Sequence, residues 1–328
     1  MTDTGRAVFL RGVTKTFGAT TAVDGLDLTI PRGALYGFIG PNGAGKTTSI
    51  RMIMSRLFPD AGELEVLGRR SALEAKDRIG YLPEERGVYR KMKVADYLSY
   101  IARLKGVADR DLAGRVRKLV ERVGLFGVEK KRCEDLSKGM LQKIQFVAAI
   151  IHEPDLLILD EPFSGLDPIS MRLLRELIVA EHERGATILF STHVMPQAEE
   201  ICDHVVMIHR GRKVLDDPVD AIRGRYDPRT ILFEPLDAGT DVAEVRVLPG
   251  VDACVKVGGG YEMRLREGTD PVEAMRRVAA ALAVARIELK RPRLEDVFIQ
   301  IVNDGSVSPE AEVSLRAELE GMTAADTA

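Results

Sequence analysis

The segment of residues 40–48 carries the strongest chemical signal in the chain. Its members are, in order, Gly40, Pro41, Asn42, Gly43, Ala44, Gly45, Lys46, Thr47 and Thr48. This order fits the pattern G-x-x-x-x-G-K-[ST], in which backbone N–H groups of a glycine-rich loop point at phosphate oxygens. In such a loop Lys46 would reach the β- and γ-phosphates of a nucleotide, and the Thr47 hydroxyl would bind Mg²⁺. The sequence therefore predicts a phosphate-binding loop, with a strand before it and a helix after it.

A second group of reactive side chains follows the apolar run at residues 156–159, where Asp160 and Glu161 are adjacent. We expect Asp160 to hold Mg²⁺ through water, and Glu161 to polarise a water that attacks a phosphate. Acidic residues commonly end strands, so this interpretation depends on the phosphate-binding pattern upstream.

The elements that must position these groups follow from the spacing of apolar residues. Strands are predicted at 34–39, 156–159 and 186–190, and several short strands within 7–35. Helices are predicted at 46–57 and 94–127, and from Asp167 and Pro168 to a stop at Gly185. Because strands alternate with helices, we expect a largely parallel α/β sheet.

The character of the chain changes near residue 218. Short strands are predicted around 230–234, 244–248, 253–257 and 261–265, with a helix at 271–284 and a last strand at 285–290. This succession is typical of a small α+β domain. From residue 303 the composition is typical of a flexible tail. We therefore expect domains at 1–217, with a helical subdomain at about 85–150, and at 218–302, before a tail at 303–328.

Composition limits the classes of protein to which the chain can belong. Its 328 residues carry a net charge of −3, with 45% hydrophobic and 30% charged residues, as in ordinary globular proteins. A slightly negative net charge does not favour binding of the whole chain to a nucleic acid, which is itself negatively charged, and no nucleic-acid partner is expected. The apolar runs are far shorter than the ~20 residues of a membrane span, so another chain would have to do any spanning. Three cysteines without metal-ligand spacing (Cys133, Cys202, Cys254) fit a reducing compartment.

Residues 6–215 resemble the ATP-binding subunit of an ABC transporter. The resemblance depends on the two motifs above and on the further motifs described next. Residues 136–140, Leu-Ser-Lys-Gly-Met, resemble the family signature, usually written LSGGQ. The resemblance implies that Ser137 and Gly139 contact the γ-phosphate of an ATP held by an opposite subunit. Lys138 and Met140 depart from the signature, which leaves the contacts of those two side chains open.

Three further positions carry the resemblance. Ser164 and Asp167 lie in Ser-Gly-Leu-Asp, which resembles the D-loop of the family. His193 ends Ser-Thr-His after a strand and resembles the switch histidine that contacts the γ-phosphate, although an isolated histidine is more often a core residue. Phe17 matches the aromatic residue that stacks on adenine, and its alternative is again a place in the core.

The glutamine loop of the family is altered in this chain. Residues 79–83 are followed by Glu84, where the family has glutamine. The resemblance places Glu84 where Mg²⁺ and the bound nucleotide are sensed, and a carboxylate binds Mg²⁺ as well as an amide does. The alternative is a solvated acidic turn.

The resemblance implies a fold and an activity together. The fold class is α/β: a P-loop NTPase of the ABC ATPase type with an N-terminal antiparallel β subdomain, a helical subdomain and a small C-terminal α+β domain. The activity is hydrolysis of ATP with Mg²⁺, with Glu161 and His193 as catalytic residues, by two subunits expected to form a homodimer. The glutamine-loop variant, the signature variant and the C-terminal domain resemble the exporter branch, whose ATPases pair with ABC-2 type permeases. The subunit is then expected at the cytoplasmic face of the membrane.

Two alternatives stay open at the level of sequence. A non-transport member would act in translation or DNA maintenance, but such members usually carry tandem cassettes or long coiled coils, and this chain has neither pattern. Residues 220–302 could also form a ligand-sensing regulatory module, which is compatible with transport. The transported substrate is not encoded in this chain, because its contacts would lie on the permease.

Overall fold

The computed structural model of the chain describes residues 5–85, 87–225, 229–237, 239–290 and 293–302. It divides into two compact units, Met1–Val219 with Phe298–Ala328, and Asp220–Val297. The tail expected at 303–328 lies outside the described residues.

Strands and helices alternate along most of the first unit. In chain order they are β1 (Arg6–Phe17), β2 (Thr20–Pro31), β3 (Leu35–Ile39), α1 (Lys46–Ile53), β4 (Ala61–Val66), β5 (Ile79–Leu82), α2 (Val94–Leu104), α3 (Asp109–Arg122), α4 (Lys138–Ile150), β6 (Leu156–Asp160), α5 (Pro168–Glu183), β7 (Thr187–Thr192), α6 (Met195–Ile201), β8 (His204–His209) and β9 (Arg212–Pro218). Short 3₁₀ helices occur at Ala72–Arg78 and Cys133–Asp135.

Three strands form an antiparallel sheet in the order β2-β1-β4. The prediction of several short strands at residues 7–35 is wrong, because β1 and β2 are continuous strands of twelve residues each. Their register shifts between Leu10 and Val13, where Gly12 has a φ of 59°. An irregularity of this kind bends a strand without ending it. The irregularity at Gly12 therefore lies inside one continuous strand.

The central sheet has six strands in the order β5-β6-β7-β3-β8-β9. The first five are parallel, and β9 runs antiparallel to β8. Every residue of β3, β6 and β7 is buried, which explains their uninterrupted apolar runs. The predicted parallel α/β sheet is confirmed. Because these strands are parallel, the loops that follow β3, β5, β6 and β7 leave from one edge of the sheet.

The helical region contains α2, α3 and α4, which pack against one another. The predicted helix at 94–127 is instead two helices, since Gly106 between them has a φ of 84°, a left-handed conformation that ends a helix. The predicted helix at 46–57 ends early, at Ile53, because Ser55 has a φ of 54°. No helix in the described ranges is both long enough and apolar enough to cross a bilayer.

The second unit is built on a four-stranded antiparallel sheet. The remaining elements of the chain are α7 (Val219–Arg225), β10 (Thr230–Pro235), α8 (Ala243–Arg246), β11 (Val251–Val257), β12 (Gly260–Leu265), α9 (Pro271–Ala281), β13 (Val284–Leu289) and α10 (Leu294–Val302). The strand order β11-β12-β10-β13 and the succession from β10 to β13 define a split βαβ, or ferredoxin-like, arrangement. The predicted small α+β domain is confirmed.

One strand predicted in this unit is wrong. Residues 244–248 do not form a strand, because α8 occupies Ala243–Arg246. Val242 and Val245 are buried in the core of the unit, and Leu248 packs against the same core. A strand would place residues three apart on opposite faces, whereas a helical turn places them on one. The common burial of these side chains therefore requires the helix.

Candidate functional site

The glycine-rich loop connects β3 to α1, so a strand precedes it and a helix follows it. Gly40 has a φ of 153°, and a Cβ there would lie 2.1 Å from the carbonyl oxygen of Ile208 in β8. Gly45 has a φ of 106°, and a Cβ there would lie 2.4 Å from the carbonyl oxygen of Ala22 in β2. Both glycines of the pattern are therefore required by the close approach of neighbouring backbone.

Lys46 is the first residue of α1, and its side chain is buried. Its Nζ donates hydrogen bonds to the carbonyl oxygens of Gly40 at 2.6 Å and Pro41 at 3.1 Å. The ammonium group therefore bends back over the loop.

A pocket of about 140 Å³ opens beside the glycine-rich loop. It is lined by Ala22, Asn42, Gly43, Ala44, Gly45, Lys46, Thr47, Thr48, Glu84 and Glu161. The structure thus brings Glu84 and Glu161 together with seven residues of the loop.

Asp160 ends β6, and its carboxylate is almost completely buried. Neither carboxylate oxygen has a hydrogen-bond partner among the residues that the structure describes. Ser191, its register partner on β7, lowers the pKa of Asp160, but the two side chains do not meet in hydrogen-bonding geometry. Burial nevertheless raises the pKa of Asp160 to about 6, and the negative charges of Glu84 and Glu161 act in the same direction. A buried carboxylate with unfilled oxygens is a group that a bound cation would satisfy.

Three donors fix the side chain of Glu161. Its Oε1 accepts from the backbone N–H of His193 at 2.8 Å and from His193 Nδ1 at 2.7 Å. Its Oε2 accepts from the Thr192 hydroxyl at 3.0 Å. The backbone of Glu161 has a φ of 49°, a left-handed conformation that is uncommon outside glycine and occurs often at functional sites. The carboxylate is therefore held in one orientation on the wall of the pocket.

Thr192 is a residue of this site that the sequence prediction missed. It is completely buried at the end of β7, and its hydroxyl also accepts from the backbone N–H of Val194 at 3.1 Å. Gln197 Oε1 lies 3.1 Å from the same hydroxyl. Thr192 could have been identified as a candidate because it is a hydroxyl residue directly before His193, in a strand whose side chains are all buried.

Phe17 ends β1 with 49% of its surface exposed, so it is not a core residue. Lys15 Nζ lies 5.6 Å from the centroid of its ring. The ring does not line the pocket beside the glycine-rich loop. An exposed aromatic ring of this kind is available for stacking on a planar group.

The signature residues lie at the start of α4 and do not line the pocket. The Ser137 hydroxyl caps α4 by accepting from the backbone N–H of Met140 at 3.3 Å. The side chain of Lys138 is exposed, whereas Gly139 and Met140 are half-buried. The pocket beside residues 40–48 is thus formed without the signature of the same chain.

The D-loop residues also lie outside that pocket. Ser164 is exposed. Asp167 caps α5 by accepting from the backbone N–H groups of Ile169 and Ser170, each at 3.0 Å. Hydrogen bonds from the hydroxyl and the amide of Ser170 hold the pKa of Asp167 below its ordinary value. Asp167 is therefore the cap of the helix that was predicted to begin at Asp167 and Pro168.

Comparison with known proteins supplies the family. A family model described as ABC transporter matches residues 23–164, and one described as ATP-binding protein DrrA1-3-like, C-terminal domain, matches residues 218–302. The uncharacterized ABC transporter ATP-binding protein YhaQ of Bacillus subtilis is 39% identical over 88% of this chain and 96% of its own. The Nod factor export ATP-binding protein I of Cupriavidus metallidurans is 34% identical over 89% of this chain and 96% of its own.

A solved structure described as the ATP binding subunit of an ABC transporter has a TM-score of 0.62 and 30% identity, covering 67% of this chain and 92% of that one. The resemblance inferred from the motifs is confirmed, and so is the fold class that it implied. The chain therefore belongs to the ATP-binding subunits of ABC transporters, a family of ATPases.

Proposed function

We propose that this chain is the ATP-hydrolysing subunit of an ABC exporter and that ATP binds in the pocket beside residues 40–48. The observation that carries the proposal is the convergence of Lys46, Thr47 and Glu161 on that pocket, next to the buried Asp160. Phosphoryl transfer to water requires a cation that binds the phosphates, a hydroxyl and carboxylates.

The hydrogen bonds of the pocket indicate how its residues act. Lys46 Nζ is bonded to two neutral carbonyl oxygens, and a charged phosphate would compete well for it. Glu161 would polarise the attacking water, while His193 would contact the γ-phosphate. Because His193 is bonded to Glu161, a phosphate contact that moves one of them also changes the orientation of the other.

The oxygen donors at this site fit Mg²⁺. Thr47 and Glu84 line the pocket, and Asp160 has two buried oxygens without a protein partner in the described structure. Hydroxyl and carboxylate oxygens are the ligands that Mg²⁺ prefers, with waters and substrate phosphates beside them. We assign the ion to these three residues, and when bound it would neutralise charge on the phosphates.

The position of the signature supports a site completed by a second copy of the chain. Ser137 and its neighbours do not line the pocket of their own chain. In a head-to-tail dimer with twofold symmetry, Ser137 of one copy would meet the γ-phosphate bound at Lys46 of the other. As a cap the Ser137 hydroxyl accepts a hydrogen bond, which leaves its own hydrogen free to donate to phosphate. The exposed Lys138 would add positive charge at the same place.

Two similarities support export through a separate permease, which we take to be of the ABC-2 type. One relative is named for Nod factor export, and residues 218–302 match a model named for DrrA-like proteins. The match of residues 23–164 to a model described as ABC transporter favours transport over a role in translation or DNA maintenance. The subunit would then lie at the cytoplasmic face of the membrane, where ATP is available.

The surface that we propose for the permease is formed by residues 85 and 87–92. Tyr89 lies there with 55% of its surface exposed, and the ring of Tyr100 meets it edge to face at 5.6 Å. Exposed tyrosine rings are enriched where proteins bind one another. The surface follows Glu84, so a partner bound there would contact the segment that reaches the pocket.

Two substitutions test the proposal. Lys46→Ala removes the cation of the pocket and should weaken ATP binding roughly tenfold or more, measured by titration. Ser137→Arg should leave ATP binding by the monomer intact and prevent the ATP-dependent dimer by bulk and charge, measured by size-exclusion chromatography. Unchanged affinity in Lys46→Ala would remove the pocket as the ATP site. Loss of monomer binding in Ser137→Arg would place Ser137 in the site of its own chain.

A further inference from the structure

Two basic segments about forty residues apart in the sequence lie side by side in the structure. The backbone N–H of Val94 donates to the Lys131 carbonyl oxygen, and that of Cys133 donates to the Met92 carbonyl oxygen, both at 2.9 Å. Lys93 and Arg132 are direct partners in an antiparallel bridge. The pairing gathers six basic side chains, which we call the basic patch: Arg90, Lys91, Lys93, Lys130, Lys131 and Arg132.

All six side chains of the basic patch are exposed. Within the described part of the chain, Arg132 forms an ion pair with Glu134 at 3.4 Å, and the other five form none. Like charges in directly opposed positions, such as Lys93 and Arg132, destabilise a bridge. The chain as a whole has a net charge of −3, so this concentration of positive charge, in which five of the six side chains form no ion pair within the described residues, is local.

Exposed tyrosine rings adjoin the basic patch. Tyr89 precedes Arg90, and its ring packs against Tyr100 of α2, which is 38% exposed. Tyrosine is enriched at the interface between a membrane and water, where its ring meets the headgroup region and its hydroxyl stays in water. Cations beside exposed tyrosines thus match the chemistry of a membrane surface.

We propose that the basic patch binds the phosphate groups of anionic lipids on the cytoplasmic leaflet beside the permease. This inference rests on the proposed function, because only a subunit of a membrane transporter is brought to that surface. Clusters of four to eight basic residues near a membrane bind anionic lipids, with roughly a fivefold gain in affinity for each cation.

A permease is a poorer match for the same patch. The cytoplasmic loops of membrane proteins carry an excess of Lys and Arg, which would repel a second basic surface. The negative surface potential of the cytoplasmic leaflet attracts it instead. The permease surface shares Arg90 and Lys91 with the basic patch, so the two surfaces adjoin. Lys93, Lys130, Lys131 and Arg132 form the part that belongs to the lipid surface alone.

The test compares two triple variants of the full chain. Lys93, Lys130 and Lys131 are changed to Gln in the first, all outside the proposed permease surface. The matched control changes Lys256, Arg264 and Arg266 to Gln, three exposed cations of the second unit that form no ion pair within the described part of the chain. Both variants change the net charge equally. Binding is measured by flotation with vesicles of equal parts phosphatidylglycerol and phosphatidylcholine, against pure phosphatidylcholine, without ATP.

We expect the wild-type chain to bind the anionic vesicles, more weakly as salt is raised above about 0.1 M. The patch variant should bind them roughly a hundredfold more weakly, and the control variant should bind as the wild type does. Thermal unfolding and the ATPase rate of the isolated subunit should be unchanged in both.

Three results would overturn the proposal. The wild type could bind anionic vesicles no better than neutral ones, or both variants could lose binding equally, so that only total charge matters. The patch variant could also keep its vesicle binding and lose co-purification with the permease, which would assign the patch to an acidic segment of that protein. ATP titration of Lys46→Ala is independent of vesicles, so a failure of the ATP site is distinguished from a failure of the lipid surface.

Discussion

His193 Nδ1 lies 2.7 Å from Glu161 Oε1, and the backbone N–H of His193 donates to the same oxygen at 2.8 Å. Because a carboxylate only accepts hydrogen bonds, the Nδ1 atom of His193 carries the proton in this contact. In a neutral ring Nε2 is then an acceptor, which could not donate to a phosphate. Contact with a γ-phosphate therefore requires either a protonated His193 or release of Nδ1 from Glu161. The two proposed catalytic residues thus act as a pair.

Glu161→Gln separates the two functions of the site. The amide keeps the shape of the side chain and one oxygen to accept from His193, so ATP binding should be preserved. It removes the carboxylate that polarises water, so turnover should fall by ~10²-fold or more. A steady-state ATPase assay beside an ATP titration measures both. Hydrolysis at the wild-type rate would show that another residue is the base.

Thr192→Val tests whether the buried hydroxyl positions Glu161. Valine has nearly the same shape but does not donate to Glu161 Oε2. A hydrogen bond to a charged group contributes about 1.5–3 kcal/mol, so kcat should fall roughly 10- to 100-fold while KM for ATP changes little. Thr192→Ser restores the hydroxyl and is the matched control. If serine does not recover kcat, the residue acts through packing alone.

The motifs made the chemistry of the pocket predictable, because each depends on a few residues that are close in sequence. Glycine was identified at positions 40 and 45 from the pattern alone, and the structure supplies the reason in the carbonyl oxygens of Ile208 and Ala22. The role of Thr192 could not be predicted from a motif of residues that are close in sequence. Its bond to Glu161 joins residues on neighbouring strands, and that contact exists only after the sheet has formed.

Other differences have the same origin in long-range packing. The helix at Ala243–Arg246 is determined by a shared core, which local propensity does not report. Lys131 and Arg132 resemble an ordinary solvated segment in the sequence. Their importance arises from the backbone pairing that places them beside Lys93.

Asp160→Asn should stabilise the protein and inactivate it. Burial raises the pKa of Asp160 from 3.8 to about 6, so the folded state binds this proton more tightly than the unfolded state. The corresponding stability is present below pH about 4 and is lost as the pH rises through about 6. Near pH 7.5 the ionised carboxylate therefore destabilises the fold by roughly 2–3 kcal/mol, which asparagine would avoid.

Denaturant titrations of Asp160→Asn and wild type, without nucleotide or Mg²⁺, measure this difference. It should be largest near neutral pH and shrink as the pH is lowered toward about 4. The ATPase activity of the variant should be lost at every pH if Asp160 helps to hold the metal. A stability difference that does not depend on pH would show that Asp160 has an ordinary pKa in the fold.

Glu84→Gln restores the residue that is common in the family, and it tests whether this position meets the metal. Glu84 lines the pocket, whereas its neighbour Glu85 does not, so Glu85→Gln is a matched control of equal charge. A unit charge ~4–6 Å away at an effective dielectric constant near 20 interacts by roughly 3–4 kcal/mol, and solvent and the other ligands reduce this to about 1 kcal/mol. The Mg²⁺ concentration that half-saturates the ATPase should therefore rise about fivefold in Glu84→Gln and stay unchanged in Glu85→Gln. Mg²⁺ titrations that coincide for wild type and Glu84→Gln would make Glu84 a solvated turn residue and leave Thr47 and Asp160 as the metal ligands.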